Sequence, residues 1–217
     1  MKEGLNRMKL LTPKISADLD VKNMTDIYYE DDLTLSRCEI TNNEFDGQKL
    51  EHIQLYNAVI KGCNFANTNF SYADITDVRF ENCDLSNVNF YHASIHRVTF
   101  INCKLLGCRF TKSSLGNVYF DHTLASLTRF DEAKLHNIHF KQCTLEHADF
   151  YDAVFKGIRF EEGSINEANF EQTTLKGIDF SDTHFEMIIA TPAELKGCTI
   201  SSLQAIQLIA LFGLHVK

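Results

Sequence analysis

VRFENCDLSNVNFYHASIHRVTF, running from Val78 to Phe100, is the stretch that decides the fold. Phe80, Leu85, Phe90, Ile95 and Phe100 stand five residues apart, with mostly polar residues between them. The rhythm continues in both directions. From Leu35 to Phe185 every fifth residue is Leu, Ile or Phe, with Ala125 the exception: 30 of 31 positions. A period of five fits neither the 3.6 of a helix nor the 2 of a strand. It marks an internal repeat, which has to be read before anything else.

Two residues before each apolar centre lies a second inward position, held by small or β-branched residues such as Cys63, Thr68, Ala73, Val78, Cys83 and Val88. Two residues after the centre, Asn, Gly or Asp fills 16 of 30 positions between Arg37 and Asp182. Those residues tolerate left-handed and tight-turn backbone. Each pentad is therefore a short straight segment followed by a corner. A period of twenty lies over the period of five. Phe80, Phe100, Phe120, Phe140, Phe160 and Phe180 fall in one frame, and Phe70, Phe90, Phe110, Phe130, Phe150 and Phe170 in another ten residues away. Mainly aliphatic rows separate them. Four pentads make one coil with four walls, and opposite walls match. About eight coils follow from the length of the repeat.

The units ADITD (73–77), CDLSN (83–87), CKLLG (103–107), ADFYD (148–152) and AELKG (193–197) resemble the pentapeptide-repeat family pattern over about residues 35–200. The resemblance implies an all-β solenoid, a right-handed quadrilateral parallel β-helix. Flanking it, residues 1–32 are expected to form an N-terminal cap and 201–217 a C-terminal helix. Within the cap, MKEGLNRMKLL suggests a short helix, and Ile15, Leu19, Val21, Met24 and Ile27 are candidates to cover the first coil. At the other end Ser201 and Gln204 read as a capping box and Gly213 as a helix stop. The helix is apolar nearly all round, so one side is expected to cap the rod. Leu203, Ile206, Leu208, Ile209, Leu211 and Phe212 are then the expected homodimer contact.

The chain carries a net charge of −8. Residues 131–194 hold 13 Asp/Glu against 5 Lys/Arg, whereas 61–130 hold 5 against 7. The acidic balance argues against nucleic acid as a partner. It permits a basic protein partner. Candidate contact residues are Asp131, Glu132, Asp149, Asp152 and Glu171 on one Phe wall, with Glu161, Glu162, Asp179 and Asp182 along an adjacent corner.

Catalytic signatures are missing: there is no GxSxG, Gly-rich phosphate loop, SxxK or HExxH. The five-residue period also differs from the six-residue repeat of acyltransferases, and outward rows of threonine, as in ice-binding rods, are missing. All seven cysteines occupy the inward position, which reads as small buried thiols, with a cross-link between the stacked Cys63, Cys83 and Cys103 geometrically conceivable. No CxxC pair suggests zinc, and the nine histidines read as surface polar residues. No catalytic residue, metal, cofactor, membrane contact or small-molecule substrate is expected. The start lacks the apolar core of a signal peptide and no run approaches a membrane span, so a soluble cytoplasmic protein is the expectation. The stretch HTLASLTRF (122–130) breaks the pattern. Either a bulge turns one leucine inward, or Leu124 and Leu127 form an exposed patch near Ile101 and Leu106.

Within the family, the chain is similar to the loopless Qnr-like quinolone-resistance members. The resemblance implies an acidic, dimeric rod that mimics DNA and binds DNA gyrase or topoisomerase IV, protecting it from quinolones or inhibiting it. The long inserted loops of some Qnr proteins are missing, and no individual Qnr residue maps onto this sequence. A structural scaffold with an unrelated protein partner is the alternative.

Overall fold

The computed structural model describes residues 10–213 and, within them, every side chain but those of Asp31, Ala210 and Phe212. Eight parallel strands stack in sequence order as one sheet. They are β1 (Asp20–Val21), β2 (Thr34–Thr41), β3 (Gln54–Lys61), β4 (Asp74–Glu81), β5 (Ser94–Ile101), β6 (Ser114–Asp121), β7 (Lys134–Lys141) and β8 (Val154–Glu161). From β2 onward each residue pairs with the one twenty positions later: Leu35 with Leu55, Leu55 with Ile75, Phe80 with Phe100. The result is a four-sided β-solenoid whose seven long strands mark successive turns.

Each long strand bends at its middle and so builds two walls. In β3 the bend is Asn57, at φ +50°. The first wall carries Leu55 and its equivalents, the second Ile60, Phe80 and Phe100. The other two walls, centred on the Phe65–Leu85 and Phe70–Phe90 rows, are held by single bridges such as Asn64 with Asp84 and Asn69 with Asn89. Corner residues sit at positive φ on all four edges, including His52 at +63°, Asn67 at +60° and Asn82 at +53°. The backbone geometry that the Asn-rich corner position requires is thus adopted by every residue type found there, Leu127 at +60° among them.

The centres form the core. Fourteen phenylalanines are 2% exposed or less, and most of them stack along the rod. Phe90 and Phe110 lie 4.7 Å apart with their planes 5° from parallel, Phe120 and Phe140 4.8 Å and 12°. Burying each such ring contributes on the order of 1.5–3 kcal/mol. The inward position two residues earlier has a polar task as well. Several of its hydroxyls and thiols donate to the backbone carbonyl 23 residues before: Thr68 to Phe45 at 2.9 Å, Cys108 to Leu85 at 2.9 Å, Thr128 to Leu105 at 2.9 Å. All seven cysteines are free thiols. Six are buried, and burial pushes Cys38 and Cys143 each up to about 11.

The ends differ in part from expectation. Met24 and Ile27, in a 3-10 turn over Met24–Tyr29, are fully buried under the first coil. Val21 is 85% exposed and does not cap. Ile15 lies in an extended segment that runs up the side of the rod instead, because its neighbours hydrogen-bond to corner side chains. Most of the expected helix at 1–11 lies outside the described residues. At the other end α1 (Ser202–Leu208) opens with the capping box: Gln204 N–H donates to Ser201 Oγ at 3.3 Å and Ser201 N–H to Gln204 Oε1 at 2.7 Å.

The break at 122–130 contains no bulge. Ala125 N–H donates to the Thr144 carbonyl at 2.8 Å and Leu127 N–H to Glu146 at 2.9 Å, the regular coil-to-coil ladder. Alanine is simply smaller than leucine at a centre, and the register is undisturbed.

Candidate functional surface

Among the described residues, the outer walls of the rod carry its exposed charged and apolar side chains. The fourth wall carries the first acidic group. Asp149, Asp152 and Glu171 occupy its two successive upper coils, and above Arg129 this wall has no Lys or Arg. Asp149 Oδ1 accepts the Tyr151 N–H at 3.1 Å and an Asn169 side-chain N–H at 3.0 Å, which fixes the carboxylate in place. Glu132 lies 3.5 Å from Lys112 of the coil below. Asp131 departs from expectation: it is only 8% exposed, accepts the Thr111 hydroxyl at 2.8 Å and pairs with Arg129 at 3.2 Å. A threonine directly beneath it and an arginine on its own segment turn it into a structural group.

The second acidic group is not adjacent to the first. Glu161, Glu162, Asp179 and Asp182 belong to the second wall and its corner with the third, on the opposite side of the rod. Glu161 is neutralised there by Arg159 at 2.6 Å and Lys141 at 3.9 Å, and it hydrogen-bonds the His139 ring at 2.9 Å. Burial holds the His139 ring below the usual imidazole range, against the pull of Glu161. Asp182 is raised from the ordinary carboxylate range, by burial first and by Asp179 second. Together with Glu162, His184, Leu203 and Gln207 it lines an open groove beneath α1.

One charged row escaped the sequence reading. On the first wall Lys156, Lys176 and Lys196 take the same position in three successive coils, each followed by a corner glycine, with Lys134 below them. None of these four makes an ion pair among the described residues. The upper rod therefore presents an acidic wall and a cationic wall that share an edge. The signal in the sequence was the twenty-residue recurrence of Lys-Gly at 156–157, 176–177 and 196–197.

The apolar features separate cleanly. Leu106, Leu124 and Leu127 are 45%, 53% and 55% exposed and neighbour one another on the third wall and its edge. In α1, Leu203 and Ile206 are 67% and 55% exposed, and Leu211 beyond it 37%. Leu208 is 4% exposed and packs into the core, so it is corrected from a dimer contact to a cap. Gln204 helps it: its side-chain N–H groups reach the Phe180 and Thr183 carbonyls at 2.7 and 2.8 Å and pin the helix to the last coil. Ile209 is half-buried, and the Phe212 side chain lies outside those described. Among the described residues, no three His, Cys, Asp or Glu side chains group as metal ligands and no helix is long and apolar enough to cross a membrane.

Comparison with known proteins places similar chains beside this one. A trypsin-treated form of QnrB1, a plasmid-mediated fluoroquinolone resistance protein, is similar at 20% identity over 82% of this chain and 98% of that one, with a TM-score of 0.48. HetL, a pentapeptide repeat protein involved in heterocyst differentiation regulation from the cyanobacterium Nostoc sp. strain PCC 7120, is similar at 18% identity over 78% and 90%, with a TM-score of 0.37. No curated protein matches the sequence. The family model described as "Pentapeptide repeat region" matches residues 33–95 and 93–170, well over half of the chain. With its five-residue core period, this chain belongs to the pentapeptide-repeat family.

Proposed function

We propose that the chain is a non-enzymatic binding rod that acts as a DNA mimic on a type II topoisomerase, DNA gyrase or topoisomerase IV, protecting it from quinolones or inhibiting it. The observation that carries the reading is the fourth wall: Asp149, Asp152 and Glu171, with Glu132 below, on a surface without a cation above Arg129. Coils rise by about 4.8 Å, so these carboxylates form a run of negative charge up successive coils, with Asp152 directly above Glu132. A cationic surface built to hold duplex phosphates attracts such a row over a distance and docks it with little reorganisation. Glu162, Asp179 and Asp182 supply charge on the opposite side. The lysine strip of the first wall must face away from such a partner, which limits how the rod can lie. In this reading 33–200 is the rod, 1–32 its N-terminal segment and 201–217 its end cap, and a homodimer forms through Leu203, Ile206 and Leu211, acting in the cytoplasm. Shared fold alone assigns no partner; the charge arrangement favours this one. In a supercoiling assay with gyrase from the native host, the chain should inhibit the enzyme or relieve quinolone poisoning in a saturable way. No effect at any concentration would overturn the proposal.

A second reading has its own observation. Leu106, Leu124 and Leu127 make an exposed apolar patch suited to a different protein partner, with the rod as scaffold. Duplex DNA would compete with a partner of the acidic wall and leave a partner of the leucine patch bound.

A further inference from the structure

The N-terminal segment lies along the edge between the first and second walls, bonded to corner side chains of three coils. Ser16 N–H donates to Asn57 Oδ1 at 2.7 Å, Lys14 N–H to Asp77 Oδ1 at 2.8 Å and Leu11 N–H to Asn117 Oδ1 at 3.2 Å. Asn57 returns a side-chain N–H to Ser16 Oγ at 2.7 Å. Five residue-to-residue steps thus span three coil steps, about 14 Å, which requires a nearly extended chain.

The coil skipped by this series has Arg97 at its corner. Arginine offers donors and no acceptor, and its guanidinium is committed to Asp77 at 2.6 and 2.7 Å. Opposite that position the segment places Thr12 and Pro13, and proline has no N–H to satisfy. The edge therefore offers the segment an acceptor at three of its four corners, and at the fourth, where Arg97 turns its donors to Asp77, the segment carries a proline.

We infer that the row Asn57, Asp77, Arg97 and Asn117 is a binding track for an extended peptide, occupied in cis by residues 11–16, and that it accepts in trans a partner's segment of the pattern x-x-Pro-x-x-Ser. Recognition runs through backbone N–H groups, so it tolerates varied side chains, while the proline sets the frame. The cis segment is shallow: Leu11, Thr12, Lys14, Ala17 and Asp18 are exposed. Few buried contacts allow it to open without unfolding the rod. The track does not border the fourth wall and does not depend on the topoisomerase reading.

The test uses the full chain with Lys14→Pro and Ser16→Pro, which deletes two of the segment's donors, and a fluorescent peptide of residues 10–17. Fluorescence anisotropy should show saturable binding at least about tenfold tighter than to the wild-type chain, where the cis segment competes. Adding Asp77→Ala and Asn117→Ala should abolish it, and moving the peptide's proline by one residue should weaken it. Equal binding to both chains, or to neither, overturns the inference. Should the double-proline chain lose its β signature, the isotope-labelled wild-type chain decides. Excess peptide should speed amide exchange at Leu11, Lys14 and Ser16 and leave the strand amides unchanged; no change at those three also overturns it.

Discussion

Arg97 grips Asp77 of the coil below with two hydrogen bonds, and the same carboxylate accepts the backbone N–H of Lys14. The Arg97 bond, more than any other cause, holds the Asp77 carboxyl below its usual range. A carboxylate depressed in the folded state stabilises it fully above the unfolded value, near 3.9, and that contribution is lost as pH falls through the folded value. Detachment of the N-terminal segment should therefore set in only below about pH 4. Amide protection at Lys14, corrected for intrinsic exchange, checks this. Asp77→Asn keeps an acceptor but removes the charge, and should remove the pH dependence.

Leu127 holds a left-handed corner at φ +60° with 55% of its surface exposed. A branched side chain gains little there and costs on the order of 1 kcal/mol in backbone strain. Leu127→Asn should stabilise the rod by about that amount in chemical denaturation. The same change should weaken any partner of the leucine patch.

The C-terminal helix offers a paired comparison. Leu208→Ala removes a buried cap and should cost about 2–5 kcal/mol, most visibly as fraying of the last coils. Leu203→Asp and Ile206→Asp alter exposed positions and should leave stability within about 0.5 kcal/mol. Those two should shift a dimer to monomer in light scattering. A wild-type chain that is monomeric at micromolar concentration would remove the dimer from the account.

The lysine strip predicts an asymmetry. Replacing Lys156, Lys176 and Lys196 with Ala removes positive charge from a wall that should face away from a cationic partner. Inhibition of supercoiling should persist, at the same or a lower midpoint. A loss of effect would place the first wall in the interface.

The fold was legible because the repeated residues are the buried ones: one apolar centre per pentad and a turn-tolerant residue after it leave few ways to arrange the chain. The capping box at Ser201 and Gln204 was equally plain, being local. What stayed hidden depends on coil register. Asp131 looks free until Thr111 is seen beneath it. Glu161 looks available until His139, Lys141 and Arg159 converge on it. The lysine row becomes visible only when residues twenty apart are aligned. The N-terminal segment was hidden for another reason: its bonds are made by backbone N–H groups, which every residue but proline carries.

The most direct measurement is competition between the full chain and labelled duplex DNA for gyrase of the native host. The chain should displace the duplex, salt should weaken the displacement, and Asp149→Lys, Asp152→Lys and Glu171→Lys together should weaken it about tenfold or more. Chain and duplex bound at the same time, or a triple variant that competes as well as the wild type, would contradict it.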